Sequence, residues 1–455
     1  MIPRSLSEVA AAVDGRLFGG DATADSVSTD SRVVRPGALF VALRGERTDG
    51  HDHVGEALAS GAVGAIVDRP AQSANGPVIE VRDTGRALLD LASDERTRLS
   101  DVKVIGVTGS NGKTSVKDLA AAVLSTRYRT HASHASFNNE VGLPMTLLDA
   151  EPGTEVLVLE MGARHEGDVA VLFHVARPDA VLVTNVGVAH MEVFGSWEAI
   201  VRAGAEPIER LGADDVAILN ADDAVVRGYA ECAKARVMWY GTAVEADVRA
   251  TDVSLGDDGR ASFTVEAAGE SQSVELAVAG EHMVSNALAA TACGLGFGLS
   301  AAECVAALKG ARISRWRMET FTTSRGLVVV NDAYNANPES MAFALKTARW
   351  MARRGRLAAV LGHMAELGPI AFEEHERLGE LVVRVGVDRL ITLGEPAQAI
   401  ARAAVREGQL PEDVASYDAP EDAAADVRSW ARRGDVVILK GSRVAGVERV
   451  AELVR

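Results

Sequence analysis

The residues with the clearest chemical potential are Gly109-Ser110-Asn111-Gly112-Lys113-Thr114. They sit between an apolar strand-like run and a helix-like segment, where glycines let backbone N–H groups approach phosphate oxygens and a helix N-terminus favours negative charge. In such a loop Lys113 bridges phosphates and the Thr114 hydroxyl reaches Mg²⁺. The full P-loop expression asks for glycine where Val107 stands. A glycine-rich strand-to-helix turn without phosphate therefore remains the alternative. Glu160 and His190 close two further strand-like runs, and the carboxyl ends of parallel strands converge on the ligand crevice of open α/β sheets. Both side chains are expected to face a Mg-nucleotide, although taken singly each is better explained as a structural residue.

The elements that must position these groups follow from periodicity. Val102–Thr108, Val156–Glu160 and Ala180–Thr184 are short apolar runs alternating with helical segments, the first helix running from Thr114 to about Tyr128. That is the pattern of a parallel sheet covered on both faces. Before it, Leu39–Leu43, Gly64–Val67 and Val78–Val81 read as strands, with a helical stretch near His53–Ser60, and Ser5 with Glu8 reads as a capping box. Residues Asp247–Val278 alternate in a way that suits an antiparallel addition. After about Ile313, strands at Leu327–Asn331, Leu357–Leu361, Arg389–Leu393 and Val436–Leu439 are separated by helices starting near Glu339 and Phe372, as in a second doubly wound sheet. The expectation is a three-domain α/β protein divided at 1–100, 101–312 and 313–455, with a P-loop-type central parallel sheet and a Rossmann-like third domain.

Composition narrows the class. The 455 residues exceed one comfortable core, since domains run to about 100–200 residues. With 47% hydrophobic and 24% charged residues the chain is expected to fold throughout. A net charge of −17 disfavours nucleic acid as a partner. The N-terminal segment has no sustained apolar run before Asp14, so neither a signal peptide nor a membrane anchor is expected. Three scattered cysteines give no disulfide or metal framework, and a cytoplasmic enzyme is the simplest class.

A wider set of motifs resembles the Mur ligase superfamily along essentially the whole chain. It comprises Ser28-Thr29-Asp30-Ser31-Arg32, Pro36-Gly37, Asp49-Gly50-His51, the glycine-rich loop, Phe137-Asn138-Asn139 with Gly142 and Pro144, and Glu160-Met161-Gly162. Farther on come the TNVGVAHMEVFGS segment around His190, Asn286-Ala287-Leu288, Arg317-Met318-Glu319, the run Asn331 to Pro338, and Lys440-Gly441-Ser442-Arg443. The NDAYNANP run resembles the members that add D-alanyl-D-alanine to a UDP-N-acetylmuramoyl-tripeptide with ATP and Mg²⁺.

The resemblance implies roles residue by residue. Ser28, Thr29, Asp30, Ser31, Arg32, Asp49 and His51 belong to UDP-precursor binding, with Asn138 and Asn139 on the substrate side of the central cleft. Gly109 to Thr114, Asn286, Arg317 and Asp332 belong to the ATP site, and Lys113, Glu160, His190 and Arg317 to catalysis. Thr114, Glu160 and His190 serve the metal. Asn335 and Asn337 orient the dipeptide, since amides supply donors and acceptors. Lys440 and Ser442 are weaker candidates. A monomer is expected.

Two positions depart from the family pattern. A lysine carbamylated in the family falls on Gly204 here, which removes a carbamate oxygen from a second Mg²⁺; Arg202 cannot replace it, and Glu206 is the expected partial substitute. His363 stands where an acidic residue is more usual. The rival readings are a related ligase, such as a third-residue ligase or a folylpolyglutamate synthase, and a non-catalytic nucleotide-binding regulator.

Overall fold

A computed structural model describes residues 1–45, 48–69 and 75–455 of the chain. Its central sheet is built from strands buried on both faces, and alternate residues divide between two cores. Ile105, Val107, Val156 and Val158 pack with the helices Lys113–Leu124 and Met283–Gly296. Val104, Leu157 and Leu159 face the other way, toward Leu143, Leu147 and Leu172. This period-two partition is what a fully covered sheet imposes on its strands.

The central sheet has nine strands. Thr130–Ala132, Val156–Glu160, Lys103–Thr108, Ala180–Val183, Val216–Asn220, Arg236–Gly241 and Val248–Leu255 lie side by side in parallel. The expected antiparallel addition follows as Arg260–Ala267 and Glu270–Ala279. Successive strands fall first on one side and then on the other side of Lys103–Thr108. The loop leaving that strand therefore opens at a topological switch point, where crevices form.

Around the first strands of the chain a five-stranded sheet orders Arg16–Phe18, Val78–Glu80, Gly64–Val67, Ala38–Val41 and Ser26–Ser28. The capping box at Ser5 and Glu8 forms as expected. A 15-residue helix, Thr84–Arg98, was not anticipated; Asp83 caps it, and Ala87, Leu88, Leu91 and Ala92 enter the same core as Leu157 and Leu159. One apolar core thus joins this sheet to the central one.

The third sheet orders Glu319–Thr322, Val328–Asn331, Val436–Lys440, Leu357–Gly362, Arg389–Leu393 and Val414–Tyr417. Only the first strand is antiparallel. The helices Pro338–Met351 and Ala371–Val385 fall where the sequence puts them. The helix after the glycine-rich loop stops at Leu124, four residues earlier than expected, because Ser125 to Tyr128 close in turns.

Candidate active site

A cavity of ≈1460 Å³ opens between the central and third sheets and is lined from both. Its floor is the glycine-rich loop. Gly109 has φ 124° and Gly112 φ 85°, and a Cβ would stand 2.1 Å from the Thr184 hydroxyl at the first and 2.7 Å from the Asn286 amide oxygen at the second. Only glycine fits either place. Val107, where the strict motif asks for glycine, lies fully buried inside the strand and pairs with Glu160 and Leu182, so the loop begins after it. Gly109 supports the loop from outside the cavity wall, while Ser110 to Thr114 line it.

Lys113 starts the helix and folds its ammonium onto the Gly109 and Ser110 carbonyls at 2.6 and 3.2 Å. Desolvation holds it below the usual lysine range, with the Glu160 charge working the other way. Arg317 reaches across from the third sheet: its guanidinium stacks 4.1 Å over Tyr334 and donates to the Thr114 hydroxyl at 3.0 Å. Five buried side-chain polar atoms lack a partner among the described residues, and three are here: Glu160 Oε2, Arg317 Nε and His282 Nδ1. Buried polar groups are normally paired, so that concentration marks a surface built for a polar ligand.

Glu160 ends its strand with Oε1 accepting from Asn138 Nδ2 at 2.8 Å and Oε2 left free. His190 has the left-handed φ of 55°, with its Nδ1 hydrogen-bonded to Glu366 of the third domain. Burial lowers its pKa from the ordinary histidine value, opposed by the bond to Glu366. Among the described residues no three His, Cys, Asp or Glu side chains cluster closely enough to cage a metal. The free carboxylate oxygen of Glu160 and the Thr114 hydroxyl nevertheless fit Mg²⁺, which takes one or two protein oxygens and completes its shell with phosphates and water.

Several expected site residues have local duties as well. Asn286 abuts Gly112, and Asp332 accepts from Lys440 Nζ at 2.5 Å and from the Met318 N–H at 3.0 Å. Burial lowers the Lys440 pKa, and Asp332 opposes that shift. Asn335 lines the cavity and holds Lys440 through its backbone carbonyl at 3.0 Å. Asn337 caps the helix Pro338–Met351 by accepting from Ser340 N–H, and its Nδ2 donates to Asn111 at 2.7 Å. Both ends of that amide are already used. Asn139 Oδ1 accepts from the Gly142 N–H at 2.9 Å, at the start of the helix Gly142–Leu148.

Of the residues expected to hold the UDP-precursor, Asn138 and Asn139 line the cavity, while the N-terminal cluster stands apart and none of its residues does. Asp30 caps a short turn and pairs with the exposed Arg32 at 2.7 Å; Ser28 and Ser31 bond Asp30 O and Glu56; Thr29 is half-buried beside them. His51 is buried between Asp49 at 2.7 Å and the Asp68 N–H at 3.1 Å.

One expectation about the helix Trp197–Arg210, the partial substitution by Glu206, is corrected. None of its residues lines the cavity, and a Cβ on Gly204 would lie 2.4 Å from the Tyr229 hydroxyl, which is itself tied to Val201 O at 2.7 Å. A side chain at 204 therefore meets Tyr229 before it meets the cleft. Glu206 does not substitute for the missing lysine. Its carboxylate accepts from Gly167 and Ala170 N–H at 2.6 and 3.0 Å, capping the helix Asp168–Ala176 that lacks a side-chain cap of its own. We expect Gly204→Lys to lower the thermal midpoint, because overpacking costs about 1–3 kcal/mol and exceeds the helix propensity gained over glycine. Denaturant titration of Gly204→Lys, Tyr229→Ala and the double variant should show them costing less together than their sum, by about 0.5–3 kcal/mol. Strict additivity would contradict the contact.

Arg164, Tyr334, Glu339 and Glu366 are among the cavity residues that had no role in the sequence. Tyr334 was visible inside NDAYNANP, next to the amides. Glu339 was visible only as a helix start, yet it accepts from Asn111 Nδ2 at 2.8 Å and packs on Gly187. His363, which departs from the family pattern, makes no side-chain hydrogen bond among the described residues; its carbonyl takes the Ser442 N–H at 3.0 Å.

Comparison with known proteins bears on this geometry. Residues 23–96 match the Mur ligase family catalytic domain, 107–294 the Mur ligase middle domain and 316–443 the Mur ligase glutamate ligase domain. The UDP-N-acetylmuramoyl-tripeptide–D-alanyl-D-alanine ligase of Mycobacterium tuberculosis is 41% identical over 94% of this chain and 91% of its own. The ligase of the same name from Escherichia coli is 34% identical over 99% and 98%. A crystal structure of MurF from Acinetobacter baumannii superposes with a TM-score of 0.89 at 30% identity, covering 99% of this chain and 98% of that one. MurF from Thermotoga maritima in complex with ADP gives 0.81 at 29% identity over 94% and 96%.

Proposed function

The chain belongs to the Mur ligase family, and from that premise we propose that it joins D-alanyl-D-alanine to UDP-N-acetylmuramoyl-tripeptide, forming the UDP-linked pentapeptide of peptidoglycan synthesis. It is an ATP-dependent, amide-bond-forming ligase. The observation that carries the finer reading is one cavity in which Lys113, Thr114, Glu160 and His190 face Arg317 and Asn335. Domain limits near residues 100 and 312, a cytoplasmic location and a monomeric state belong to the same proposal. No helix among the described residues is long and apolar enough to cross a membrane.

A carboxylate must be activated before an amine displaces its oxygen. In the proposed sequence the tripeptide carboxylate attacks the γ-phosphate and ADP departs. The dipeptide amine then attacks the acyl phosphate, and inorganic phosphate leaves. No enzyme nucleophile is needed, so the protein contributes positioning and charge neutralisation. Lys113 exchanges its loop carbonyls for phosphate oxygens, and Arg317 brings positive charge from the opposite side. Ser110 to Gly112 offer backbone N–H groups, with Asn286 and Asp332 flanking the nucleotide. Thr114 and Glu160, with His190 nearby, would hold Mg²⁺, which would supply electrostatic stabilisation of the transferring phosphoryl group. The precursor's UDP end is assigned to Ser28 to Arg32, Asp49 and His51, with Asn138 and Asn139 on the path to the cleft.

Asn335 is the amide assigned to the dipeptide, with Asn337 behind it. We expect Asn335→Ala to raise KM for D-alanyl-D-alanine about tenfold and to leave KM for ATP nearly unchanged, the loss of one hydrogen bond to a charged group being about 1.5–3 kcal/mol at most. Asn337→Ala should instead weaken both ligands and stability together, because it removes a helix cap as well as the link to Asn111. Steady-state titration of each substrate distinguishes these outcomes; a purely ATP-directed effect of Asn335→Ala would remove it from the dipeptide site. The reaction itself is tested by mass spectrometry of the product formed from ATP, UDP-N-acetylmuramoyl-tripeptide and D-alanyl-D-alanine. The expected product is heavier than the tripeptide precursor by the dipeptide less water, and its absence would overturn the assignment.

A further inference from the structure

Glu366 stands out among the residues that neither motif nor resemblance assigned. It belongs to the third domain, yet its carboxylate bonds His190 Nδ1 and accepts from Arg164 Nη2 at 2.6 Å, both in the central domain. Its backbone carbonyl also takes the Glu192 N–H at 3.1 Å. The two facing residues share an unusual backbone: Glu366 has φ 61° and His190 φ 55°. Non-glycine residues hold that conformation only where their surroundings over-determine it, and such places cluster at working sites.

The surroundings here do so. The Met364 N–H donates to His375 Nε2 at 2.9 Å and the Ala365 N–H to Ser442 Oγ at 2.8 Å. His375 Nδ1 donates to Ala371 O at 2.6 Å, which leaves Nε2 as the acceptor that the Met364 N–H requires. Met364 and Leu367 are anchored in the third domain's core. On the other side, Gly368 lies so close to Glu192 that a Cβ would come within 2.9 Å of its Cα. The loop is thus a rigid arm of the third domain that ends in a carboxylate seated on His190.

We propose that Glu366 is a positioning residue through which docking of the third domain fixes the His190 ring for ligation. An ionised carboxylate only accepts hydrogen bonds, so a carboxylate at Nδ1 places the ring proton there and leaves the Nε2 lone pair for the cavity. Withdrawal of the third domain removes that partner, and His190 then loses both its tautomer and its orientation. Arg164 holds the other carboxylate oxygen, so the arm seats in one register. The inference rests on the reading of His190 as a site residue.

The test compares His190→Ala, Glu366→Ala and Glu366→Gln in steady-state ligation, alongside small-angle scattering of the free proteins. Glu366→Ala is expected to lower kcat about 10–100-fold while KM for ATP stays near the wild-type value. Glu366→Gln should recover most of kcat, since its amide oxygen still accepts from Nδ1. Scattering should report a more extended average shape for Glu366→Ala than for the wild type, with Glu366→Gln in between. Wild-type kcat in Glu366→Ala beside an inactive His190→Ala would overturn the proposal. So would equal losses in the Ala and Gln variants with KM shifted in step, the signature of a purely structural role. A fully active His190→Ala would remove the underlying reading of His190 and the proposal with it.

Discussion

Arg317→Ala is expected to lower kcat by about 10³-fold, the scale on which an arginine that stabilises a transferring phosphoryl group acts. The guanidinium comes from the start of the third domain and ends 3.0 Å from the hydroxyl of Thr114, in the loop that cradles phosphate. Its Nε is buried without a partner, and its plane rests on Tyr334. A group so arranged is pre-oriented, with hydrogen-bonding capacity held in reserve for a ligand. Arg317→Lys should not rescue it, because a point charge on a flexible stem neither stacks on the ring nor offers a fork of donors. Because the effect lies in the transition state, KM for ATP should move far less than kcat. Equal changes in both, or a loss under tenfold, would reduce Arg317 to a nucleotide-binding contact.

Lys113→Ala is expected to cost about 10²–10³-fold in kcat and to leave the fold intact. Its ammonium is satisfied by two loop carbonyls, and desolvation already disfavours its charge. Losing it removes a partly buried charge that stabilises little until phosphate arrives. The helix start tolerates alanine. Circular dichroism and the thermal midpoint should therefore match the wild type while turnover collapses. Near-normal turnover with ATP would contradict the assignment of the loop; a large fall in the midpoint would show that Lys113 is structural.

Sequence made the scaffold readable wherever a strand is buried on both faces. Val156–Glu160 and Arg389–Leu393 stand at their expected limits because an unbroken apolar run has few alternatives. The glycine-rich loop was readable because phosphate chemistry and backbone geometry demand the same residues. The helix Thr84–Arg98 was missed although its apolar spacing is helical, since charged residues surround that face. Glu366 was out of reach for a different reason. Its partners lie 176 and 202 residues away, and only the packing of two domains brings them together. Gly204 was recognised as a departure, but the direction of its missing side chain depends on Tyr229, a residue on another element. Asn337 shows the converse: it was read as a ligand contact, and the fold spends its amide on a helix cap and on Asn111.

The same packing bears on the second metal. The helix Trp197–Arg210 carries no lysine, so it presents no carbamate to the cavity. Bicarbonate is accordingly without a target on that helix.

The proposed function couples cleavage of ATP to the joining of two particular substrates in the cleft between the central and third domains. The direct measurement is inorganic phosphate release by the purified protein with ATP and Mg²⁺, in matched reactions omitting UDP-N-acetylmuramoyl-tripeptide, omitting D-alanyl-D-alanine, or replacing the dipeptide with glutamate or diaminopimelate. Sustained release only when both the tripeptide precursor and D-alanyl-D-alanine are present, one phosphate for each pentapeptide formed, is the predicted result. Sustained release with a replacement amino acid but not with the dipeptide, or none in any combination, would contradict it.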